Sequence, residues 1–290
     1  MADSFPLPDF DTRAPTIPVP AGACDAHAHI FGPMDRYPPA GKRRYDPPNI
    51  PVSTYRKMLE KLGVARAVLV QSSAYGTDNS LLLDGLAEAG PDFRGIALLS
   101  AGVATDELRR LDRGGIRGVR ASTLPNSHIE LDAIEGLARR IADFGWIVEV
   151  HLDHISHLPA ILPIVPRLPV PCLIDHLGRV RGGDGIRDGD FQALLEIFRR
   201  CENCWVKLCS FYRLSDKGQP DYADMEPFVT ALVDACPDRL VWGTNWPHPN
   251  HHGHMPNDGD LFDVLFGWIG DEGVRQMILV ENPARLFGFA

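Results

Sequence analysis

Short apolar segments alternate with helix-forming segments along almost the whole chain, and this alternation limits the fold more than any other feature. The segments are continuously apolar and rich in β-branched residues, as strands covered on both faces are. About eight such strands separated by helices, over a length near the roughly 250 residues typical of that fold, predict an α/β protein with a single-domain (β/α)8 TIM barrel. A doubly wound sheet is the alternative, but no glycine-rich phosphate loop follows the first strand. The predicted strands are a first one carrying Asp25-Ala26-His27-Ala28-His29, then Ala65–Gln71, Phe93–Leu99, Ile116–Arg120, Trp146–His151, Val170–Asp175, Cys204–Leu208 and Leu240–Gly243.

Apolar spacing and capping residues place helices between these strands. The predicted helices run from the Ser53-Thr54 cap to Leu62, from Asp78 to Ala89, and over Thr105–Arg113, Leu131–Phe144, Ile155–Ile164, Phe191–Arg200, Tyr222–Ala235, Asp258–Ile269 and Asp271–Leu279.

Residues 1–20 are proline-rich with little periodicity, so we expect an N-terminal arm that is disordered or lies over the body formed by residues 21–290. Residues 32–53 form a long loop carrying Lys42, Arg43, Arg44 and Tyr45, and so long a loop is usually functional.

The composition argues against several classes of protein. The chain has 290 residues, 44% of them hydrophobic and 23% charged, which is ordinary for a globular protein with a large core. A net charge of −9 argues against nucleic acid as a partner, because no basic footprint is present. We expect no signal peptide and no membrane span, since no apolar run approaches ~20 residues. The sequence leaves a homo-oligomer open.

The chain contains six cysteines scattered through apolar surroundings. Cys201-x-x-Cys204 is the only close pair, and a redox or zinc role would need a second pair or a helix N-terminus beside it. The pair lies between an amphipathic segment and an apolar strand. We therefore expect reduced structural thiols in a cytoplasmic protein.

Polar residues fall at the predicted carboxyl ends of the strands, where this fold places its chemistry. They are His27 and His29, Ser73, Arg120, His151, His176 with Arg179, and Asn245 with His248. His27, His29 and His151 could give three nitrogen ligands to a catalytic zinc or similar divalent ion, leaving a fourth position for water. His176 could be a general acid or base, or hydrogen-bond the reacting carbonyl. The alternatives are core histidines satisfied by carbonyls, and a His176 held by Asp175 that only shapes the rim.

Taken together, these segments resemble the amidohydrolase superfamily. The motifs are Asp25-Ala26-His27-Ala28-His29 with Phe31-Gly32-Pro33, Gln71 with Gly76-Thr77-Asp78-Asn79, Gly115-Ile116-Arg117-Gly118-Val119-Arg120, Asp175-His176-Leu177-Gly178-Arg179 and Trp242-Gly243-Thr244-Asn245-Trp246-Pro247-His248-Pro249. The branch they resemble is that of 2-pyrone-4,6-dicarboxylate lactonase and related lactone hydrolases of aromatic-compound degradation. The resemblance runs from about residue 20 to the C-terminus, and it implies a barrel that opens a cyclic ester with water.

The resemblance also implies which residues hold an anionic substrate: Tyr45, Ser73, Arg120, Arg179 and Arg213. Arginine suits this role, because its planar fork binds carboxylates bidentately and stays charged. Otherwise, Arg179 and Arg213 could form ordinary surface ion pairs with Asp175, Asp216 or Asp221. The predicted substrate is a small di-anionic lactone. A metal-dependent decarboxylase, a lactone isomerase and a non-catalytic anion-binding protein remain alternatives.

Two positions depart from the pattern. The resemblance implies that the dicarboxylate lactonase is metal-independent and carries tyrosine at the position of His151. A histidine at this position is similar to the metal-binding relatives, namely the sulfomuconolactone hydrolases and the amino-carboxymuconate-semialdehyde decarboxylases. Asn245 replaces the aspartate that acts as the superfamily's base, and an amide cannot take a proton from water near neutral pH. Asn245 could be an exchange made to trap substrate, a natural residue with catalysis rerouted through His176 or His248, or the mark of a binding protein.

Overall fold

Eight parallel strands form the barrel in the order of the chain. The computed structural model describes residues 4–41, 43, 45–123 and 133–290. Neighbouring strands pair in parallel from the first to the eighth, and the first meets the eighth through a bridge between Ala28 and Trp246. The predicted (β/α)8 barrel is therefore confirmed. The strands are β1 (Cys24–Ala28), β2 (Arg66–Val70), β3 (Phe93–Ala97), β4 (Ile116–Ser122), β5 (Ile147–His151), β6 (Cys172–Ile174), β7 (Cys204–Cys209) and β8 (Leu240–Gly243).

Helices surround the barrel and bury their apolar faces against it. The segment Ile155–Ile164, predicted as one helix, instead contains the 3₁₀ turn Ile155–Ala160, followed by Val165–Arg167. Pro159 and Pro163 explain this difference, because proline has no N–H to donate within a longer helix. The helices are α1 (Val52–Leu62), α2 (Ser80–Ala89), α3 (Thr105–Arg113), α4 (Ile134–Ile141), α5 (Gly189–Arg200), α6 (Phe211–Leu214), α7 (Glu226–Ala235), α8 (Asp258–Trp268), α9 (Glu272–Gln276) and α10 (Asn282–Phe287).

The seam between β1 and β8 is organised by Asp25, which is completely buried. Its Oδ1 accepts hydrogen bonds from the N–H groups of His27 at 3.0 Å and Thr244 at 2.9 Å. Gly243 lies in contact with β1, since a Cβ there would fall 2.6 Å from the Cβ of His27. The N–H of Asn245 donates to the carbonyl of His27 at 2.8 Å. The seam therefore fixes His27 and Asn245 beside each other.

The N-terminal arm lies against the barrel over residues 4–20. Phe5 is buried, with its ring 5.0 Å from that of Tyr45 and 5.5 Å from that of Phe31. The N–H of Thr16 donates to the carboxylate of Asp263 in α8 at 2.8 Å. Phe5 therefore packs on the loop that carries Tyr45, and Thr16 attaches the arm to α8.

Some predicted positions lie outside the described residues, namely Lys42, Arg44 and the first residues of the helix predicted over Leu131–Phe144. All six cysteines are free thiols, as the sequence predicts. Across the described ranges, the helices are too short or too polar to cross a bilayer.

Candidate active site

A cavity of about 180 Å³ opens at the carboxyl ends of the strands. All the predicted site residues border it except His27 and His248, which are completely buried. The lining consists of His29, Tyr45, Ser72, Ser73, Leu98, Arg120, Ser122, His151, Asp153, His176, Arg179, Arg213, Asn245, Pro249 and Asn250. The fold therefore brings together residues from the carboxyl ends of all eight strands and from the segments that follow them.

His27 and His29 face each other at the end of β1, with their Nε2 atoms 3.3 Å apart. The ammonium of Lys207 donates to Nδ1 of His27 at 2.8 Å, and Nδ1–H of His29 donates to the carbonyl of Val70 at 2.8 Å. These partners place the ring hydrogen of His27 on Nε2, which donates it to His29. Burial lowers the pKa of His29 to about 3 and that of His27 well below its usual value, so both rings are neutral at pH 7.

Asp175 and His176 form a pair in the turn that follows β6. Residues 176–179 all have positive φ, from 49° to 67°, and this left-handed turn brings both His176 and Arg179 to the cavity. Nε2 of His176 lies 3.1 Å from Oδ2 of Asp175, whereas its Nδ1 has no hydrogen-bond partner among the described residues. The carboxylate holds the ring hydrogen on Nε2 and leaves the lone pair on Nδ1. Burial lowers the pKa of His176 well below its usual value.

Three further buried charges support this pair from below. Lys207 donates to Glu149 at 2.5 Å and lies 3.4 Å from Asp175. Arg120 donates to Asp175 at 2.6 Å and lies 3.1 Å from Glu149. Burial alone would raise the pKa of Asp175, but the adjacent imidazoles, Lys207 and Arg120 hold it well below its usual range. The two carboxylates and two cations compensate one another.

Sequence reasoning missed Lys207 and Glu149, although the sequence carries a signal for both. Each is a single charge inside an apolar strand, Lys207 in β7 and Glu149 in β5. A charge buried within a strand requires an opposite charge beside it. Because β5 and β7 both flank β6, these two residues could have been paired with Asp175 from the barrel order alone.

The predicted zinc ligands His27, His29 and His151 do not converge on one point. The Nε2 atoms of His27 and His29 are 3.3 Å apart, as two ligands of a tetrahedral zinc can be. The three histidines are nevertheless not a group whose possible ligand atoms all lie within 4.8 Å of one another. The potential ligand atoms that lie together in the described part of the chain belong to His27, Asp175 and His176. Both oxygens of Asp175 already face buried cations, so a divalent ion would add uncompensated charge. The ligand atoms of His27, Asp175 and His176 are close enough to hold an ion, but Lys207 and Arg120 already balance the charge of Asp175.

Two arginines of the lining have no carboxylate within 4.0 Å in the described ranges. Arg179 donates from Nε to the carbonyl of Asp153 at 3.2 Å. Arg213 donates from Nη2 to the carbonyls of Pro249 at 3.1 Å and Asn250 at 2.9 Å. Burial, together with the nearby Arg213, lowers the pKa of Arg179 to about 10. Both side chains are therefore cations without a counter-ion here.

The other predicted substrate contacts differ from these arginines. Arg120 borders the cavity, but its guanidinium is engaged by Asp175 and Glu149 in the buried charge cluster. The hydroxyl of Tyr45 is hydrogen-bonded to Ser72 at 2.9 Å, and Ser73 is exposed to the cavity beside it. Tyr45 and Ser73 can thus offer hydroxyl groups, whereas Arg120 mainly balances charge.

Asn245 is buried at the end of β8 and borders the cavity. Its Nδ2 donates to the hydroxyl of Tyr212 at 3.1 Å, and that hydroxyl lies 2.7 Å from Nδ1 of His248. Nε2 of His248 lies 3.3 Å from Asp258. His248 can therefore reach the cavity only through Tyr212 and Asn245. Sequence reasoning missed Tyr212 and Asp258 because neither ends a strand, since they lie in α6 and at the start of α8.

The chain is similar to known proteins over almost its whole length. The 4-sulfomuconolactone hydrolase of Hydrogenophaga intermedia is 34% identical over 93% of this chain and 90% of that protein. The 2-pyrone-4,6-dicarboxylate hydrolase of Comamonas testosteroni is 35% identical over 94% of this chain and 92% of that protein. A crystal structure described as a probable 2-pyrone-4,6-dicarboxylic acid hydrolase of Acinetobacter baumannii, with citric acid bound, is 28% identical and covers 92% of this chain and 100% of that one, with a TM-score of 0.81.

The family model for amidohydrolases matches residues 24–289, which is almost the whole described barrel. A structure described as an amidohydrolase of Burkholderia multivorans with bound zinc is 18% identical and has the same fold, with a TM-score of 0.73 over 93% of this chain and 100% of that one. The predicted resemblance is confirmed by this match and by relatives that are named hydrolases of lactones. The chain belongs to the amidohydrolase family.

Proposed function

We propose that this chain is a hydrolase that opens a small, doubly negative lactone by attack of an activated water. The observation that carries the proposal is the pair Arg179 and Arg213, which lack a carboxylate partner among the described residues and border the same cavity as His151 and His176. Two uncompensated guanidinium groups suit a ligand with two carboxylates or sulfonates. The names of the relatives and the citric acid bound in the Acinetobacter baumannii protein support this substrate class.

His176 is the proposed general base. Asp175 holds its Nε2–H, and Nδ1 is the nitrogen left with a lone pair. Water attacks the lactone carbonyl carbon, its proton passes to Nδ1, and the carbonyl carbon–ring oxygen bond breaks. The ring oxygen then takes this proton from Nδ1 and becomes the hydroxyl of the linear acid, which returns His176 to its neutral form. Asp175 stabilises the imidazolium that forms in between.

His151 is the proposed hydrogen-bond donor to the lactone carbonyl. Arg120 donates to its Nδ1 at 3.1 Å, so the ring hydrogen of the neutral imidazole lies on Nε2. Burial and the charge of Arg120 lower the pKa of His151 to about 4, which keeps it neutral at pH 7. A neutral imidazole can polarise a carbonyl, and the negative charge that develops on that oxygen strengthens the bond.

This reaction requires neither a base at Asn245 nor a resident metal. The proposal assigns no step to a zinc held by His27, His29 and His151, because Lys207 already donates to His27 and Arg120 already donates to His151. Among the predicted interpretations of Asn245, the proposal corresponds to catalysis rerouted through His176.

The test is a comparison of two lactones of similar size, one with two acidic groups and one without. Wild-type protein should bind and open the dianion and leave the neutral compound almost untouched. Arg179→Met and Arg213→Met should remove this preference, while Arg181→Met, which breaks an exposed pair with Asp216, serves as the matched control. Equal turnover of both compounds by wild type would contradict the proposal. Release of CO₂ or an isomerised lactone as the product would instead indicate a decarboxylase or an isomerase.

A further inference from the structure

Four side chains lead from the cavity into the protein at the end of β8, and their hydrogen bonds run in one direction. Asp258, as a carboxylate, can only accept, so His248 donates from Nε2 over 3.3 Å. Nδ1 of that ring is then an acceptor, and it receives the O–H of Tyr212 at 2.7 Å. The oxygen of Tyr212 in turn accepts Nδ2–H of Asn245 at 3.1 Å.

The surroundings of the chain of hydrogen bonds fix this direction. Asn245, Tyr212, His248 and Asp258 are all less than a tenth exposed, so no donor or acceptor can be exchanged freely with bulk water. Burial raises the pKa of the Tyr212 phenol, which keeps its hydrogen in place. Asp258 begins α8, and the N-terminus of a helix favours a negative charge.

We propose that Tyr212, His248 and Asp258 form a one-way hydrogen-bond chain that holds the amide of Asn245 with Oδ1 toward the cavity, where it accepts a hydrogen bond from the attacking water. Nδ2 is occupied by Tyr212, while Oδ1 accepts no hydrogen bond from any described residue. Since Asn245 borders the cavity, the free oxygen is available there. The role toward water rests on the proposed hydrolysis, but the direction of the chain does not.

An aspartate at position 245 does not fit this direction. A carboxylate has no hydrogen to give Tyr212, so the hydroxyl would turn to donate to it. Nδ1 of His248 would then face oxygen lone pairs at 2.7 Å unless it carried a hydrogen itself. Because Nε2 still donates to Asp258, the ring would carry hydrogens on both nitrogens. Besides these groups, the ring of His251 lies 5.2 Å from that of Tyr212, and the guanidinium of Arg213 and the thiol of Cys209 also act on the Tyr212 phenol.

The direction can be measured by ¹⁵N NMR of the His248 ring in the full-length protein, with assignment by His248→Gln. Wild type should show a neutral ring with its hydrogen on Nε2. Asn245→Asp should show a ring protonated on both nitrogens at pH 7, and adding Tyr212→Phe should return it to neutral. Asn250→Asp is the matched control, because it adds the same charge at the cavity without touching Tyr212, and its backbone φ of 61° also suits aspartate.

The proposal would be overturned by a hydrogen on Nδ1 of His248 in wild type, or by the same His248 state in wild type and Asn245→Asp. Equal protonation by Asn250→Asp would also overturn it, since that would be a general charge effect. The wild-type spectrum tests the direction even if a variant does not fold.

A second measurement is the rate of turnover. Tyr212→Phe should lower kcat about 10–100-fold at unchanged KM, because it misplaces a reacting group. Tyr222→Phe alters another buried phenol and should leave kcat unchanged. An equal loss in both variants would contradict the positioning role. Absence of any hydrolysis by wild type would refute the proposed function and leave the NMR test standing.

Discussion

Lys207 donates to Glu149 at 2.5 Å inside the barrel, and both side chains are completely buried. The same ammonium donates to His27 at 2.8 Å, so the ion pair also sets the orientation of a site histidine. Burial alone would lower the pKa of Lys207, but Asp175 and Glu149 raise it above its ordinary value. Lys207 therefore stays protonated inside the barrel, where Glu149 and Asp175 balance its charge and that of Arg120.

Removing this charge should destabilise the protein strongly. Lys207→Met leaves Glu149 and Asp175 with one buried cation between them, and an uncompensated buried charge costs about 3–5 kcal/mol of unfolding free energy. Urea unfolding measures the difference. Arg200→Ala is the control, because the exposed pair of Arg200 and Glu196 should contribute less than about 1 kcal/mol. Equal effects of the two substitutions would show that the buried pair is not needed for stability.

Loss of either unpaired arginine should weaken the binding of a dianion. Each charge-assisted hydrogen bond contributes about 1.5–3 kcal/mol, so Arg179→Met or Arg213→Met should raise Kd about 10–100-fold. Titration calorimetry with a non-hydrolysed dicarboxylate of similar size provides the measurement. Arg181→Met should leave Kd almost unchanged, because its partner is Asp216 at the surface. An unchanged Kd in both cavity variants would remove the dianion from consideration.

The pH profile of kcat/KM should lack an acidic limb near pH 6.5, the ordinary pKa of histidine. Burial is the largest cause that lowers the pKa of His151 to about 4 and that of His176 well below its ordinary value. The neutral forms that the reaction uses therefore persist as the pH falls, and they are lost only when it passes through the lowered pKa values. Activity should stay level from pH 8 to below pH 6. An inflection at about pH 6.5 would contradict the assignment of these two imidazoles.

Metal removal should have no effect on hydrolysis. Protein purified without chelator should hold less than about a tenth of an equivalent of zinc. A true zinc site would stay almost fully occupied through purification, because it binds its ion tightly. Treatment with EDTA should leave the rate unchanged. Near-stoichiometric zinc that is lost in His27→Ala, together with activity that returns on adding zinc, would contradict the charge argument from Lys207 and Arg120.

The barrel could be predicted because its strands read as continuous apolar runs, and the ends of those runs indicated His29, His151, His176, Arg179 and Asn245 as neighbours. What the sequence could not show is which way each side chain turns. Arg120 resembles Arg179 in position, yet one is enclosed by carboxylates and the other is not.

The placement of His248 shows the same limit. It follows a strand as His151 and His176 do, but the left-handed backbone around it turns its ring toward Asp258 rather than toward the cavity. Residues on helices, such as Tyr212, could not be predicted either, because their contacts depend on how a helix packs and not on where a strand ends.

Ring opening of a doubly negative lactone, followed in wild type and Asn245→Asp, tests the central claim most directly. Wild type should convert the lactone slowly to the linear acid with His176 as base. Asn245→Asp adds a second base, and a positioned base contributes up to about 10²–10⁴-fold, or roughly 3–5 kcal/mol of barrier. Binding should change little, because asparagine and aspartate have nearly the same shape. If neither protein opens any doubly negative lactone that the cavity binds, the chain is not the hydrolase proposed here.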